Sequence, residues 1–335
     1  MSAVSGAAGR LRAAVRREPL LPVLVVLLLG LSLAYHEFAT LANLRNIAVQ
    51  ASPLIVAAVG MTYVIMTGGI DLSVGSMLFL AAAIETGRAL AGLPTAAVFA
   101  VVALVGVGMG LLNGLAVAFT RVPALVVTLA TMQVFRGAGG HVTGQQNIDL
   151  PARLRGIGTA SLLGVPAPVL LAAAVALAGA FVFGRTTFGR YVQAVGSSPD
   201  AAANAGLPVR GVLVGAYAVA GLLAAVASLT QTARLGAVQP SIGQGYELTV
   251  ITAVVLGGTT LLGGRGSIGG TVLGALVLTT VQTGLVFSGA SPYVFDIVRG
   301  GVLLAAVLAA GARWFARRRD HTPRAALGWN RMELS

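Results

Sequence analysis

In a 335-residue chain that is 56% hydrophobic, the residues able to do chemistry are few: ten acids, three histidines and 22 bases. Every one of those bases is arginine. A phosphate-binding loop of the G-x-x-x-x-G-K-[ST] type needs a lysine to reach the β- and γ-phosphates, so this polypeptide is not itself a P-loop ATPase. Lysine Schiff bases are excluded on the same ground, and with no cysteine there is no thiolate nucleophile, thiolate metal site or disulfide. His36, His141 and His321 are scattered with no H-E-x-x-H spacing, and no catalytic dyad is visible. One stretch does place a carboxylate where it is costly: Met61–Ser76 reads M-T-Y-V-I-M-T-G-G-I-D-L-S-V-G-S, with Asp71 between two apolar runs. Two readings stand. Either Gly68 and Gly69 make a tight turn while Asp71 or Ser73 caps the next helix, or Asp71 is a gate or pathway residue, with both roles compatible.

Other polar and small residues have packing as the simplest reading. Gly106, Gly110 and Gly114 recur every four residues, and Gly266, Gly270 and Gly274 repeat the pattern, as faces that let helix backbones approach. Asn113 adjoins the first face and either bonds across helices or lines a path. Gly257, Gly258, Gly263 and Gly264 imitate a phosphate cradle but, without lysine, read as a helix-breaking turn. Met61–Ser76 and Val254–Ser267 resemble each other as a faint duplication. Glu85, Glu247 and Asp296 are expected near the outer ends of their spans, within reach of the interface, where they give little support to a proton relay.

The elements that position these groups are membrane helices. With 10% charged residues and a mean hydropathy of +0.89, most of the chain belongs in lipid, and its length allows about eight to eleven spans. The expected fold is all-α and polytopic, with ten apolar runs near 20–35, 48–67, 72–87, 95–119, 123–137, 167–184, 212–231, 248–263, 268–288 and 294–312. The run at 123–137 is short and enters Gly137, Gly139 and Gly140, which predicts a break or re-entrant turn there. Arg10, Arg12, Arg16 and Arg17 before the first run resemble a signal-peptide n-region, but no clear cleavage site follows, so an uncleaved first helix is expected. Ten spans put both termini on one side. That side collects fifteen arginines and the other six, with Arg299 inside the last run, so the termini are expected to be cytoplasmic. The expected organisation is a cytoplasmic segment at 1–19, a transmembrane domain at 20–312 and a cytoplasmic tail at 313–335. The net charge of +12 is thereby assigned to topology and not to nucleic acid, since the arginines cluster at the two ends and aromatics are only 6%.

The segment 185–211 is the most informative soluble stretch. Pro199 and Asp200 start a single short helix through Ala201–Ala205, which Gly206 and Pro208 stop. A polytopic chain with no nucleotide site and a short helix on its cytoplasmic face is built to be moved by a partner; an ordinary connecting loop is the alternative.

Several blocks carry a family likeness. T-Y-V-I-M-T-G-G-I-D-L-S-V-G-S at 62–76, N-G at 113–114, P-A-L-V-V-T-L-A-T-M at 123–132, F-G-R-Y-V-Q-A-V-G at 188–196, A-A-A-N-A-G-L at 201–207, G-Y-E-L at 245–248 and V-V-L-G-G-T-T-L-L-G-G-R-G at 254–266 are in family order. The chain resembles, end to end, the ribose-type permease subunits of bacterial ABC importers for monosaccharides. Departures are Ala130 where the family often has Gly, Ala205 where it has Ser, and Leu125 where a bulky aromatic is common. The resemblance implies a homodimer in the bacterial inner membrane, a separate ATPase that uses ATP and Mg, a solute-binding protein outside, and no cofactor on this chain. It assigns ATPase coupling to Phe188, Gly189, Arg190, Gly196, Ala201, Ala202, Asn204, Gly206 and Leu207. Gly68, Gly69, Asp71, Ser73, Asn113 and Thr128 remain the gate or pathway candidates. The rivals are an ABC permease for branched-chain amino acids or nucleosides, a self-sufficient secondary transporter and an intramembrane enzyme; the last two lack midplane coupling groups and a catalytic set. No cluster of sugar ligands is expected.

Overall fold

The computed structural model describes residues 18–320 apart from 19, 88, 89 and 91. The expected N-terminal segment, Glu18 excepted, and the tail beyond Asp320 lie outside the described residues. Helices occupy all ten expected runs: α1 (Leu20–Ala34), α2 (Leu41–Met66), α3 (Val74–Glu85), α4 (Thr95–Phe119), α5 (Ala124–Thr143), α7 (Ala167–Arg185), α10 (Val209–Leu235), α11 (Tyr246–Leu256), α12 (Ile268–Phe287) and α13 (Pro292–Asp320). Between them stand α6 (Ala152–Thr159), α8 (Thr187–Ser197) and α9 (Pro199–Asn204). α13 runs past the expected limit at 312.

α2 is the axis of the molecule. It is apolar on every side, and every residue from Ala51 to Met66 is buried, the signature of a helix surrounded by others. α7, α10, α11 and α12 pack around it, and α10 also carries α3 and α4. By contrast the outward faces of α1, α4 and α7 show only hydrocarbon: Val26, Leu29 and Leu33, then Leu104 and Leu112, then Leu177 and Phe181. Those faces suit lipid.

Two expectations about spans need correction. α5 is continuous through Gly137, Gly139 and Gly140 to Thr143. The glycines there admit neighbours: a Cβ at Gly139 would lie 2.7 Å from the Phe79 ring of α3, and one at Gly140 2.5 Å from the Gln145 side chain. The break falls elsewhere. α3 and α11 have 12 and 11 residues, about 18 and 16 Å at 1.5 Å per residue, and span only about half of a 30 Å hydrocarbon core. α11 is short because the chain before it is irregular. β4 (Ala237–Val238) pairs antiparallel with β1 (Ile148–Asp149), just beyond the end of α5. From there Gln239–Gly245 turns back inward until Gly243 meets Gly75 in the first turn of α3. A two-residue hairpin of β2 (Ser161–Leu162) and β3 (Val165–Pro166) precedes α7.

Candidate functional site

The α2–α3 turn is built as the sequence implies, with Gly68 at φ +83°, yet its acid is neither exposed nor a helix cap. Asp71 is fully buried, and its Oδ1 accepts from the Ser73 amide at 2.8 Å and the Ser73 hydroxyl at 2.6 Å. Ser73 occupies the N-cap position of α3 without capping it, because its hydroxyl also accepts from Asn113 Nδ2 at 2.8 Å. Asn113 Nδ2 lies 3.5 Å from Asp71 Oδ2. Thr128 of α5 donates to the Ile70 carbonyl at 3.2 Å. The gate candidates are thus brought together, but Asp71, Ser73, Asn113 and Thr128 are all sealed from the surface. Sequence reasoning missed Tyr217 of α10, a tyrosine in an apolar run. It is fully buried, and its hydroxyl lies 2.7 Å from where a Cβ at Gly69 would stand.

The first glycine face does what its spacing implies. Cβ atoms at Gly106, Gly110 and Gly114 would strike Gly221, Tyr217 and Val214 of α10. In the second, Gly270 meets Gly257 and Gly274 meets the Ala253 carbonyl, so α12 lies against α11. Gly266 is not on that face; it precedes the helix, whose cap is Ser267, and packs on Thr259. Gly258, Gly263 and Gly264 have φ of +90°, +83° and +74° and form the expected turn. The faint duplication is structural: Gly69 N donates to Val64 O and Thr259 N to Val254 O, each closing a helix end in the same way. The two turns also touch, since Gly264 N donates to Met66 O at 2.9 Å.

The coupling segment holds two helices, not one. Thr186 caps α8 and Ser198 caps α9, each accepting from an amide three residues on. The Pro199–Asp200 start is correct, and a second helix, α8, precedes it. The candidates separate into two groups. Arg190, Ala201, Asn204 and Gly206 are exposed, while Gly189 and Ala202 are buried and Leu207 is half-buried. Phe188 stacks on Tyr63 at 6.0 Å. Gly196 is pressed onto the Met66 carbonyl, and a Cβ there would lie 2.7 Å from Gly264 N. α8 therefore rests on both glycine turns at once.

Of the remaining acids, Asp296 is exposed, while Glu85 ends its helix as expected but is turned into the protein. Glu85 is 2% exposed and accepts from Ser228 and, at 2.6 Å, from Thr232 of α10. Arg136, near the end of the expected run 123–137, is in the middle of α5. It donates to the Ile242 carbonyl at 2.7 Å and lies 4.7 Å above the Phe79 ring. Arg299 of α13 donates to the Gly245 carbonyl at 3.1 Å and to Thr249 Oγ1 at 2.8 Å, and pairs with Asp296 at 2.9 Å. Glu247, in the first turn of α11 and so at an end of its helix, stands beside Gly75 of α3. The inward-turning segment is thus held from two sides by arginines of different helices.

This arrangement can be set beside known proteins. Residues 43–307 match the family described as "Branched-chain amino acid transport system / permease component". The chain is 40% identical over 315 residues to the ribose import permease protein RbsC of Escherichia coli (strain K12), covering 91% of this chain and 97% of that one. It is 37% identical over 291 residues to RbsC of Bacillus subtilis (strain 168), covering 85% and 89%. To the L-arabinose transport system permease protein AraH of E. coli (strain K12) it is 35% identical over 300 residues, covering 86% and 88%. No solved structure matches. The family match over residues 43–307 and the near full-length similarity show it: the chain belongs to this permease-component family and is a multi-pass inner-membrane protein.

Proposed function

We propose that this chain is the membrane subunit of an ATP-binding-cassette importer for a monosaccharide, working as a pair of copies with the solute path between them. ATP and Mg belong to a separate ATPase, and a binding protein delivers the solute from outside. All ten apolar helices then cross or enter the membrane, with both termini and α8–α9 cytoplasmic. The ribose and arabinose permeases among the relatives support a sugar. The observation that carries the reading is Gly196, which joins the exposed α8–α9 pair to the turns ending α2 and α11. A push on Arg190, Ala201 or Asn204 reaches the Asp71 junction through backbone contacts. By linkage, ATP and binding protein favour one access state only if each binds that state more tightly.

A second reading, import of a branched-chain amino acid, is favoured by the description of the matching family. Both are tested by uptake into proteoliposomes holding this chain, its ATPase and its binding protein, across pentoses, hexoses and leucine. Sugar uptake that needs both partners and ATP is expected, with Gly196→Ala hydrolysing ATP while importing at least tenfold less. Uptake by the lone chain overturns the importer reading, and uptake of leucine alone overturns the sugar.

A further inference from the structure

The inward-turning segment Gln239–Glu247 raises a question of solvent. Glu85, at one end of α3, meets Thr232 close to the outer end of α10, whereas Gly243 meets Gly75 ten residues earlier along α3, about 15 Å deeper. Gln239–Gly245 is therefore irregular backbone well inside the hydrocarbon depth. Lipid does not tolerate such backbone unless it is buried in protein or lines a water-filled cavity. This segment is only partly buried: Gln239, Ser241 and Gln244 are exposed. On α5, one helical turn before the Arg136 that grips Ile242, Gln133 is exposed as well. The lipid-suited faces of α1, α4 and α7 present Leu, Val and Phe at comparable positions.

We infer that Gln133 and the segment Gln239–Gln244 form the polar wall of the solute path at mid-membrane, with Gln133 and Gln244 offering amide groups to the hydroxyls of the passing solute. The identity of that solute rests on the importer reading; the place of the path does not. Glutamine amides suit a polyhydroxyl cargo because each both donates and accepts, and neutral single contacts allow release as readily as entry. Arg136 and Arg299 are positioning residues: they take up the carbonyls of Ile242 and Gly245 and hold the wall open from α5 and α13. The fully buried Asp71 cluster lines nothing.

The chain has no cysteine, so single-cysteine variants can be read without background. In membranes, Gln133→Cys and Gln244→Cys should react with a membrane-impermeant cationic methanethiosulfonate at least tenfold faster than Leu177→Cys on the lipid-suited face. Ser241→Cys serves if Gln244→Cys does not insert. In the assembled importer the same modification should cut uptake at least tenfold, whereas modification of Gln146→Cys, exposed beyond the end of α5, should leave it unchanged. Reaction at positions 133 and 244 no faster than at 177 overturns the inference, as does full uptake after complete modification. The labelling needs no solute, so it decides the place of the path even if the sugar reading fails.

Discussion

Two polar regions lie within the membrane part of this protein, and they solve the cost of polarity in opposite ways. At the α2–α3 turn, Asp71 is closed in by the Ser73 amide and hydroxyl and by Asn113, with no arginine bonded to it among the described residues. At the turn before α11, Arg136 and Arg299 bond backbone carbonyls, while Gln244 and Gln133 stay exposed. The first region spends its hydrogen bonds on itself and fixes where α2, α3 and α4 meet. The second satisfies its backbone from two neighbouring helices and leaves its amides free. A carboxylate inside a membrane protein is a functional candidate by default, but exposure, not charge, separates a path from a joint.

The sealed region should fail first when it is broken. Asp71→Leu leaves the Ser73 amide, the Ser73 hydroxyl and an Asn113 N–H without their acceptor, each costing about 1–3 kcal/mol when buried. We expect folded protein in detergent to be lost or its thermal midpoint to collapse, while Asp71→Asn, which keeps an acceptor, retains most of it. Gel filtration after a heating series reads both. Equal losses would mean that charge and not hydrogen bonding holds the joint. The open region should respond differently. Arg136→Gln removes the donor to the Ile242 carbonyl and, at 3.5 Å, the Pro240 carbonyl, about 1 kcal/mol in stability, yet lets Ile242 and its neighbours shift. Uptake should fall at least tenfold with the thermal midpoint nearly unchanged. If stability falls as far as in Asp71→Leu, the two regions are of one kind.

The sequence makes the first region easy to find and hides the second, for physical reasons. Asp71 announces itself by being an acid between glycines in an apolar stretch, and the glycine turns follow from residue type, since φ near +80° favours Gly. Ten helices are legible because apolar runs must be helical in lipid. Their depth is not: the polar segment before α11 reads as an ordinary connection whether the chain enters halfway or crosses, and only the contact of Gly243 with Gly75 places it. Glu85 likewise ends an apolar run, and nothing in its neighbourhood signals that Ser228 and Thr232, over 140 positions away, will take it inside. Gln133 carries no such signal, because exposure is a property of the packed bundle. α8 was missed because Phe188–Gly196 mixes glycines with an aromatic, and its helix is fixed by Phe188 stacking on Tyr63.

The smallest effect tests the comparison most finely. Asp296 touches the open region through its ion pair with Arg299, but its side chain is 58% exposed while that of Arg299 is 15% exposed. Arg299 is already fixed by the Gly245 carbonyl and Thr249, so the carboxylate adds a partner to a group that has two others. Pairs of this kind, three residues apart on a helix and open to solvent, contribute about 0.5 kcal/mol or less and weaken with salt. Asp296→Asn should therefore leave the thermal midpoint within a degree or two and uptake within about twofold, with any difference vanishing at high ionic strength. An effect as large as that of Arg136→Gln would show that Arg299 needs its acid to hold the segment. The clamp would then be a charge network spanning two helices, closer to the sealed joint than its exposed amides imply.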